Sequence, residues 1–430
     1  MNNSLGWLTL FLILAFILYR TKDERILKLL LVGFYFRAIL VIFDQYFISL
    51  PGGNFDAIGF EANAFRISKH SGLIVFFDLF YSDNLLISRI ISIFYTLTDR
   101  SEMMAKGISV AIGTSSIYLF YRLTLLVWSN KDIAINASWV FALMPSMCLF
   151  SALVLKEVYV TFFLIITLIL MVIFIRKLVN KKTNNITLAK FLFNEQFIKI
   201  VLILFFAYIL KNLHGGIFLG LMTFIMFVVY YLGKEEIVYS IKKKKIRIKL
   251  VLLAFVPISV MYLFYLELIV IPYIPNLNEI PQLFTILQRR FDISIINVVN
   301  GSIGSNYPAF LVPKNSLEFF PKIVLRLIYF LYSPFPWDIK RSAHILGLFN
   351  SVLMIYLSIK FWMNRKKIWK IPEIRFIFLL LVSYIVIYGL GSGNFGTSIR
   401  HQTKFIFILI CLAAPKLKNF NPFYKRKYNL

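Results

Sequence analysis

The chain has 430 residues, of which 59% are hydrophobic and only 16% charged, and its formal net charge is +27. Soluble domains use roughly 45–50% apolar and about 25% charged residues, so this composition excludes an ordinary soluble protein. Because no hydrophilic stretch approaches the roughly 100 residues of a soluble domain, we predict a single integral membrane domain over residues 1–430. The positive charges lie in short loops between apolar runs, which indicates membrane topology rather than a nucleic-acid-binding face.

Eleven apolar stretches have about the length that a bilayer requires, roughly 20 residues. They cover approximately residues 5–19, 26–48, 107–128, 133–153, 157–175, 197–211, 215–232, 250–272, 345–363, 374–391 and 403–415. Two more apolar stretches, 85–98 and 320–337, each carry an arginine and end in polar or Pro-rich sequence, so we expect interfacial or re-entrant segments there. The predicted fold class is all-α: a polytopic transmembrane protein of about 11 spans with short outer-surface helices.

The distribution of lysine and arginine sets the expected orientation, because basic loops favour the cytoplasm. With eleven spans, all five basic segments fall on one side: 20–28, 176–199, 234–249, 365–375 and 416–427. The N-terminus is then outside and the C-terminus cytoplasmic. Two large loops, at about 49–106 and 273–344, are non-cytoplasmic. Cys148 and Cys411 both fall inside apolar segments, which favours packing over a disulfide or a metal cluster.

An acidic residue in the first outer loop is the leading candidate for chemistry. Asp56 follows two glycines that permit close backbone approach, and its position suits a general base for a bound hydroxyl. Asp56 as the cap of a helix that begins near Ala57 is the structural alternative, and the two roles are compatible. On a continuous helix Glu61 would point about 140° away from Asp56, so the two acids would not share a face.

Two short outer turns supply candidate substrate-binding residues. Lys156 and Glu157 form an adjacent pair at a span end, where a cation can meet a lipid phosphate while its stem stays in the apolar layer. An ordinary span terminus is the alternative. Lys211 and His214 flank a tight turn with two glycines that can cradle an anion, although a lone interfacial histidine is more often structural.

A Gly-rich outer segment, residues 391–404, leads directly into the last predicted span. Backbone amides freed by glycines, a helix N-terminus, Arg400 and His401 together suit the binding of phosphate or pyrophosphate. A turn with an interfacial anchor is the alternative. This positive segment lies on the side that should be depleted of lysine and arginine, which favours a role other than topology.

The second large loop combines aromatic residues with cations, which suits sugar stacking and phosphate contact. Its candidates are Arg289, Arg290, Arg326 and Arg341. Arg326 falls in an apolar stretch, where a charge is costly unless it faces a cavity. The sequence has no Walker A, GxGxxG, HExxH or clustered metal-ligand pattern. We therefore predict no cofactor and assign no metal ligand, while the participation of a divalent metal stays open.

Four of these features occur together along the chain: Asp56, the stretch 145–157, the Ser-Pro-Phe-Pro-Trp segment at 333–337, and Asn-Phe-Gly-Thr at 394–397 followed by Arg400 and His401. In this combination the chain resembles the GT-C superfamily of polytopic membrane glycosyltransferases, and within it the bacterial O-antigen and capsule repeat-unit polymerases. The resemblance covers most of the chain in outline. One departure is that many such transferases place the acid after the first span, whereas Asp56 follows the second.

The resemblance implies a GT-C-like helical fold in the bacterial cytoplasmic membrane and a donor sugar carried on polyprenyl phosphate or pyrophosphate at its outer face. Asp56 would be the general base, while Arg400, His401 and Lys156 would stabilise the departing phosphate. The implied partners are lipid-linked glycans, the bilayer and other membrane proteins of polysaccharide assembly, with no nucleic acid. A single-sugar transferase and a flippase or transporter for lipid-linked oligosaccharides are the alternatives, although transporters usually carry repeats and polar residues at the membrane midplane.

Overall fold

The computed structural model describes residues 3–54, 56–71, 74, 85–180, 195–243, 306–311 and 316–417. Within these ranges the chain is almost entirely helical, apart from a single bridge between Asn306 and Asn394. The α-helices are Asn3–Arg20 (α1), Glu24–Tyr46 (α2), Asp56–Ser71 (α3), Leu86–Leu97 (α4), Glu102–Trp128 (α5), Lys131–Ala142 (α6), Pro145–Ser151 (α7), Lys156–Asn180 (α8), Glu195–Leu213 (α9), Gly215–Lys243 (α10), Ser316–Tyr332 (α11), Ser342–Lys370 (α12), Pro372–Gly391 (α13), Phe395–Thr403 (α14) and Ile406–Ala413 (α15).

Six of these helices are long and apolar enough to cross a membrane, namely α1, α2, α5, α8, α12 and α13. The pair α6 and α7 makes a seventh candidate, a broken span that bends by 62°. The chain is therefore an all-helical, multi-pass membrane protein. The described residues support this coarser statement rather than eleven spans, because α10 and α15 are shorter in their apolar part and the predicted span at 250–272 lies outside the described ranges.

Short polar side chains determine where several of the helices begin. Asp23, Ser101, Asn130 and Asn394 are the N-caps of α2, α5, α6 and α14, and each accepts a hydrogen bond from a backbone N–H of the first turn. Such caps satisfy amides that have no partner within the helix. Polar residues at the ends of apolar runs thus mark the turns between spans.

The helices pack around a large apolar core that includes several fully buried aromatic rings. The ring of Phe120 in α5 lies 4.8 Å from that of Phe141 in α6 and 6.2 Å from that of Phe407 in α15, measured between centroids. Elsewhere Gly220 allows α10 to approach α13, since a Cβ at this position would lie 2.0 Å from Cε1 of the buried Tyr384. Close helix contact at small residues is typical of membrane bundles, where packing drives association.

Ion pairs at the helix ends define one face of the bundle, which we name the basic face. Asp23 pairs with Lys131 at 2.5 Å, and Arg176 pairs with Glu373 at 3.0 Å while donating to the carbonyl of Leu126. These contacts join the ends of α2, α5, α6, α8 and α13. Since α8 rises about 30 Å between residues 156 and 176, its first turn lies at the other side of the bundle, which we name the site face.

Candidate functional site

Three segments that are far apart in the sequence meet at the site face. Arg400, in α14, donates from Nη1 to Oδ2 of Asp56 at 2.7 Å and from Nε to Oε1 of Glu157 at 2.9 Å. Asp56 begins α3 and Glu157 lies in the first turn of α8. The structure thus brings together an acid, a Lys–Glu pair and a Gly-rich segment that the sequence analysis singled out separately.

A small apolar cluster lies beside this ion-paired group and holds its three elements in register. Ala57, Phe150, Leu153 and Leu155 are buried together, and Ile399 packs against them. Each charged residue therefore has a close chain neighbour in the same cluster: Ala57 follows Asp56, Ile399 precedes Arg400, and Leu155 lies two positions before Glu157. Phe150 comes from α7, the second half of the broken span, so the bend of that span helps to set the geometry of the site.

The two acids differ strongly in their access to solvent. The side chain of Asp56 is 54% exposed, whereas that of Glu157 is 1% exposed, and Arg400 between them is 26% exposed. Oε2 of Glu157 has no hydrogen-bond partner among the described residues, and Nη2 of Arg400 is left unused by the two ion pairs. Asp56 is thus accessible to a ligand, while Glu157 is an internal counter-charge that fixes the guanidinium.

A second group of polar side chains adjoins the ion-paired group of Arg400, Asp56 and Glu157. Nζ of the fully buried Lys404 lies 2.9 Å from Nδ1 of His401 and 3.9 Å from Oε1 of Glu157. The ring of His401 stacks on Tyr388 with centroids 4.5 Å apart, and the Tyr388 hydroxyl lies 3.0 Å from Nδ1 of His214. His214 and His401 therefore belong to one buried network, with Lys404 between that network and Glu157.

Burial determines the protonation of this network. It lowers the pKa of His214 to about 2 and that of His401 well below its ordinary value, and the nearby cations lower both further. It lowers the pKa of Lys404 to about 7, against the opposing effect of Glu157. Both histidines are therefore neutral at pH 7, so they act as hydrogen-bonding groups and not as cations.

The charges of the site do not cancel. Lys156, half-buried at the start of α8, adds to the field that lowers the pKa values of Lys404 and both histidines. Lys156 and Arg400 balance the two neighbouring acids, and Lys404 adds a third positive charge in its protonated form, which a pKa of about 7 keeps populated at neutral pH. A group with this surplus attracts an anion, and a guanidinium with an unused nitrogen suits phosphate geometry.

Lys404 was not among the candidate residues predicted from the sequence, although the Gly-rich segment 391–404 ends with it. The residues that fix α14 in place were not predicted either. Gln402 accepts a hydrogen bond from Asn350 of α12 at 2.9 Å and donates to the carbonyl of Phe330 in α11, and Thr161 of α8 donates to the carbonyl of Thr403 at 3.2 Å. A lysine next to an apolar run was the available signal.

Among the described residues, none of the remaining predicted binding residues forms a hydrogen bond or ion pair with Arg400. Arg326 is 2% exposed and donates from Nη2 to the carbonyl of Ser392 at 2.6 Å, so it holds the Gly-rich turn that precedes α14. Arg341 is exposed at the start of α12 and Lys211 is exposed at the end of α9. The side chain of neither residue forms a hydrogen bond or ion pair with another described residue. Arg289 and Arg290 lie outside the described residues.

A second buried cation explains how the broken span is accommodated. Arg37, in the middle of α2, is fully buried and donates from Nη1 to the carbonyls of Gly33 at 2.8 Å and Ala142 at 3.0 Å. Ala142 is the last residue of α6, and its carbonyl also accepts from the Cys148 thiol at 3.1 Å. Helix-end carbonyls within a membrane need such donors, since no water is available there.

The described residues include no group of three or more His, Cys, Asp and Glu side chains placed to hold a metal ion. Comparison of the chain with family models, curated proteins and solved structures gives no match. Its function has to be argued from the chemistry of the site face.

Proposed function

We propose that this protein is a membrane glycosyltransferase that uses a sugar or oligosaccharide linked to polyprenyl phosphate or pyrophosphate. In this proposal the fold is GT-C-like with about eleven spans, and the site face is the outer face of the bacterial cytoplasmic membrane. The product is an O-antigen or capsular polysaccharide, made by polymerising repeat units. The observation that carries the proposal is the bridge from Arg400 to Asp56 and Glu157, within a group that has surplus positive charge.

The reaction needs a proton acceptor and a group that stabilises the leaving phosphate. The acceptor hydroxyl oxygen attacks the anomeric carbon of the donor, the bond from that carbon to the phosphate oxygen breaks, and the hydroxyl proton passes to a base. Asp56 suits the base because its carboxylate is half exposed and its second oxygen is free of Arg400. The electron pair leaves on the phosphate, whose negative charge Arg400 and Lys156 neutralise.

Arg400 also connects the proposed proton acceptor with the proposed phosphate-binding group. Its Nη1 holds Asp56 and its Nε is fixed by Glu157, so the unused Nη2 is oriented before a substrate arrives. A preoriented donor of this kind costs little reorganisation when charge develops on the leaving group. The neutral His401 and His214 supply hydrogen-bonding groups next to the cations without adding charge.

The position of the site at the ends of helices suits a lipid-linked donor. Its lipid stays in the bilayer while its phosphate reaches cations at the interface. On the same face Trp337 is 72% exposed and stacks on Phe335 with ring centroids 4.9 Å apart, which suits contact with a sugar ring. A single-sugar transferase differs only in its acceptor. A flippase would be expected to carry its binding charges near midplane, where the described residues place Arg37 against backbone carbonyls.

The test is deletion of the gene in its own host, followed by gel analysis of the surface polysaccharide. Loss of the long ladder with survival of a single repeat unit indicates a polymerase. Asp56→Asn and Arg400→Lys should both fail to restore the ladder, since the first removes the base and the second cannot bridge two acids. Asp132→Asn is the matched control, because this exposed acid pairs with Arg25 on the basic face.

Membrane abundance of each variant is measured by immunoblot, so that loss of protein is not mistaken for loss of activity. A full ladder from both Asp56→Asn and Arg400→Lys would refute the site. An unchanged ladder after deletion would refute the polymerase and leave transfer of another sugar, or transport, to be examined.

A further inference from the structure

A long groove lies on the lipid-facing side of the bundle, and none of the residues of the candidate site lines it. Its volume is about 1140 Å³, and α1, the start of α2, α4, α5 and α8 form its walls. Along α1 it extends from Leu5 to Arg20, a rise of about 22 Å. Most of its lining is apolar and includes the rings of Phe16, Phe94 and Phe162.

The groove faces lipid because, among the described residues, α1 is packed on one side only. Just 17% of α1 is buried inside the structure, and its outward side chains include the exposed Phe11 and Phe16. A groove of this kind in a bilayer is filled by hydrocarbon, since water at an apolar surface of this depth is unfavourable. An acyl chain is the natural occupant of its apolar part.

The charged residues that line the groove are all at its basic-face end: Arg20, Lys22 and Asp23. Asp23 is already neutralised, since its Oδ2 pairs with Lys131 and its Oδ1 accepts the first amides of α2. Arg20 and Lys22 are exposed and have no ion-pair partner among the described residues. The mouth of the groove therefore carries two uncompensated positive charges.

We propose that this groove binds an anionic phospholipid of the leaflet at the basic face, with its head-group phosphate at Arg20 and Lys22 and an acyl chain along α1. Thr21, which also lines the mouth, adds a hydroxyl that can donate to the phosphate. Basic residues at a span end attract anionic lipids in general, but they select one bound molecule only where an apolar groove receives its chain. This site is independent of the proposed transferase activity.

The test is lipid retention by the full-length protein, measured by native mass spectrometry after extraction in a mild detergent. Purified protein is exchanged into micelles that contain equal amounts of phosphatidylglycerol and phosphatidylcholine. We expect one tightly retained phosphatidylglycerol. The double variant Arg20→Gln/Lys22→Gln should lose about 30-fold in affinity for it, a value set by two interfacial charges.

Two further variants separate the groove from general surface charge. Lys366→Gln/Lys367→Gln removes two exposed lysines near the end of α12, outside the groove, and should leave retention unchanged. Ser115→Phe fills the groove from α5 without touching its charges and should also abolish retention. Ser115 is exposed, so this substitution leaves the core intact.

Three results would overturn the proposal. Equal retention of phosphatidylcholine would remove the role of the cationic mouth. Unchanged retention in Arg20→Gln/Lys22→Gln, with the thermal unfolding of the variant matching that of the wild type, would place the lipid elsewhere. In a parallel experiment with polyprenyl phosphate added to these micelles in an equal amount, its preferential retention over phosphatidylglycerol would assign the groove to a different lipid class.

Discussion

Replacing Arg400 should lower the stability of the protein more than replacing Asp56 does, although either change should abolish activity. Arg400→Ala leaves the carboxylate of Glu157, which is 1% exposed, without its closest cation. Removing one partner of a buried ion pair costs about 3–5 kcal/mol, and Lys404 at 3.9 Å compensates in part, so we expect about 3 kcal/mol. Asp56→Asn should cost at most about 1 kcal/mol, because exposed ion pairs contribute little.

A second substitution distinguishes the buried charge from other causes. In the double variant Arg400→Ala/Glu157→Gln the buried negative charge is gone, and only a neutral amide is left without its partners. Such a group costs about 1–3 kcal/mol, so the double variant should recover up to about 2 kcal/mol of stability relative to Arg400→Ala. It should recover no transferase activity, since the phosphate-binding guanidinium is still missing.

The free energy of unfolding is measured by reversible detergent titration of the purified variants, and activity by restoration of the polysaccharide ladder. Two results would refute the reasoning. Asp56→Asn could lower the free energy of unfolding as much as Arg400→Ala, which would mean that the exposed acid carries the stability. The double variant could be less stable than Arg400→Ala, which would mean that Glu157 does not need Arg400 as its counter-charge.

Three other predictions follow from the described residues. Gly220→Ala should destabilise the protein by about 1–3 kcal/mol because the new Cβ meets a buried tyrosine of α13, whereas Gly59→Ala, with open space around it, should be neutral within about 1 kcal/mol in the same titration. The pKa of Lys404 falls from 10.5 to about 7 on folding, so the unfolded state binds more protons between these values and stability rises with pH there. Thermal scans should show that the wild type gains stability relative to Lys404→Met from pH 7 to pH 10, and parallel curves would contradict this. With both native cysteines replaced, Asn54→Cys and Ser129→Cys should be labelled by an impermeant reagent from opposite sides of the membrane, and labelling from one side would contradict the two faces.

The sequence predicted the helical class and most helix positions because apolar runs of about twenty residues and their polar caps are local features. It also singled out the short segments that carry Asp56, Glu157 and Arg400. It could not predict that Asp56, Glu157 and Arg400 touch, because 243 positions separate the last two and nothing local records their pairing. The preference for Asp56 over Glu61 was consistent with the structure, in which Glu61 is 4% exposed and already paired with Arg100.

The sequence alone does not decide what a single polar residue inside an apolar run contacts. Arg37 and Lys404 were not among the residues predicted from the sequence, and both are fully buried. Arg326 was expected at a phosphate, but it holds the backbone of the turn before α14. In each case the sequence shows that a cation lies in or next to an apolar run. What that cation contacts depends on how the neighbouring helices pack.

Arg37 also has a consequence for how the chain enters the membrane during synthesis. An arginine at the centre of a spanning helix costs about 2.5–3.5 kcal/mol on insertion, and the apolar residues of α2 must offset this. Of the two carbonyls that accept from Arg37, one lies in its own helix and the other belongs to Ala142, 105 residues later. Until the ribosome has delivered α6, this guanidinium lacks its second acceptor. The second span therefore reaches its final environment only after the fourth crossing has joined it, which makes late docking of α6 a step in the assembly of this protein.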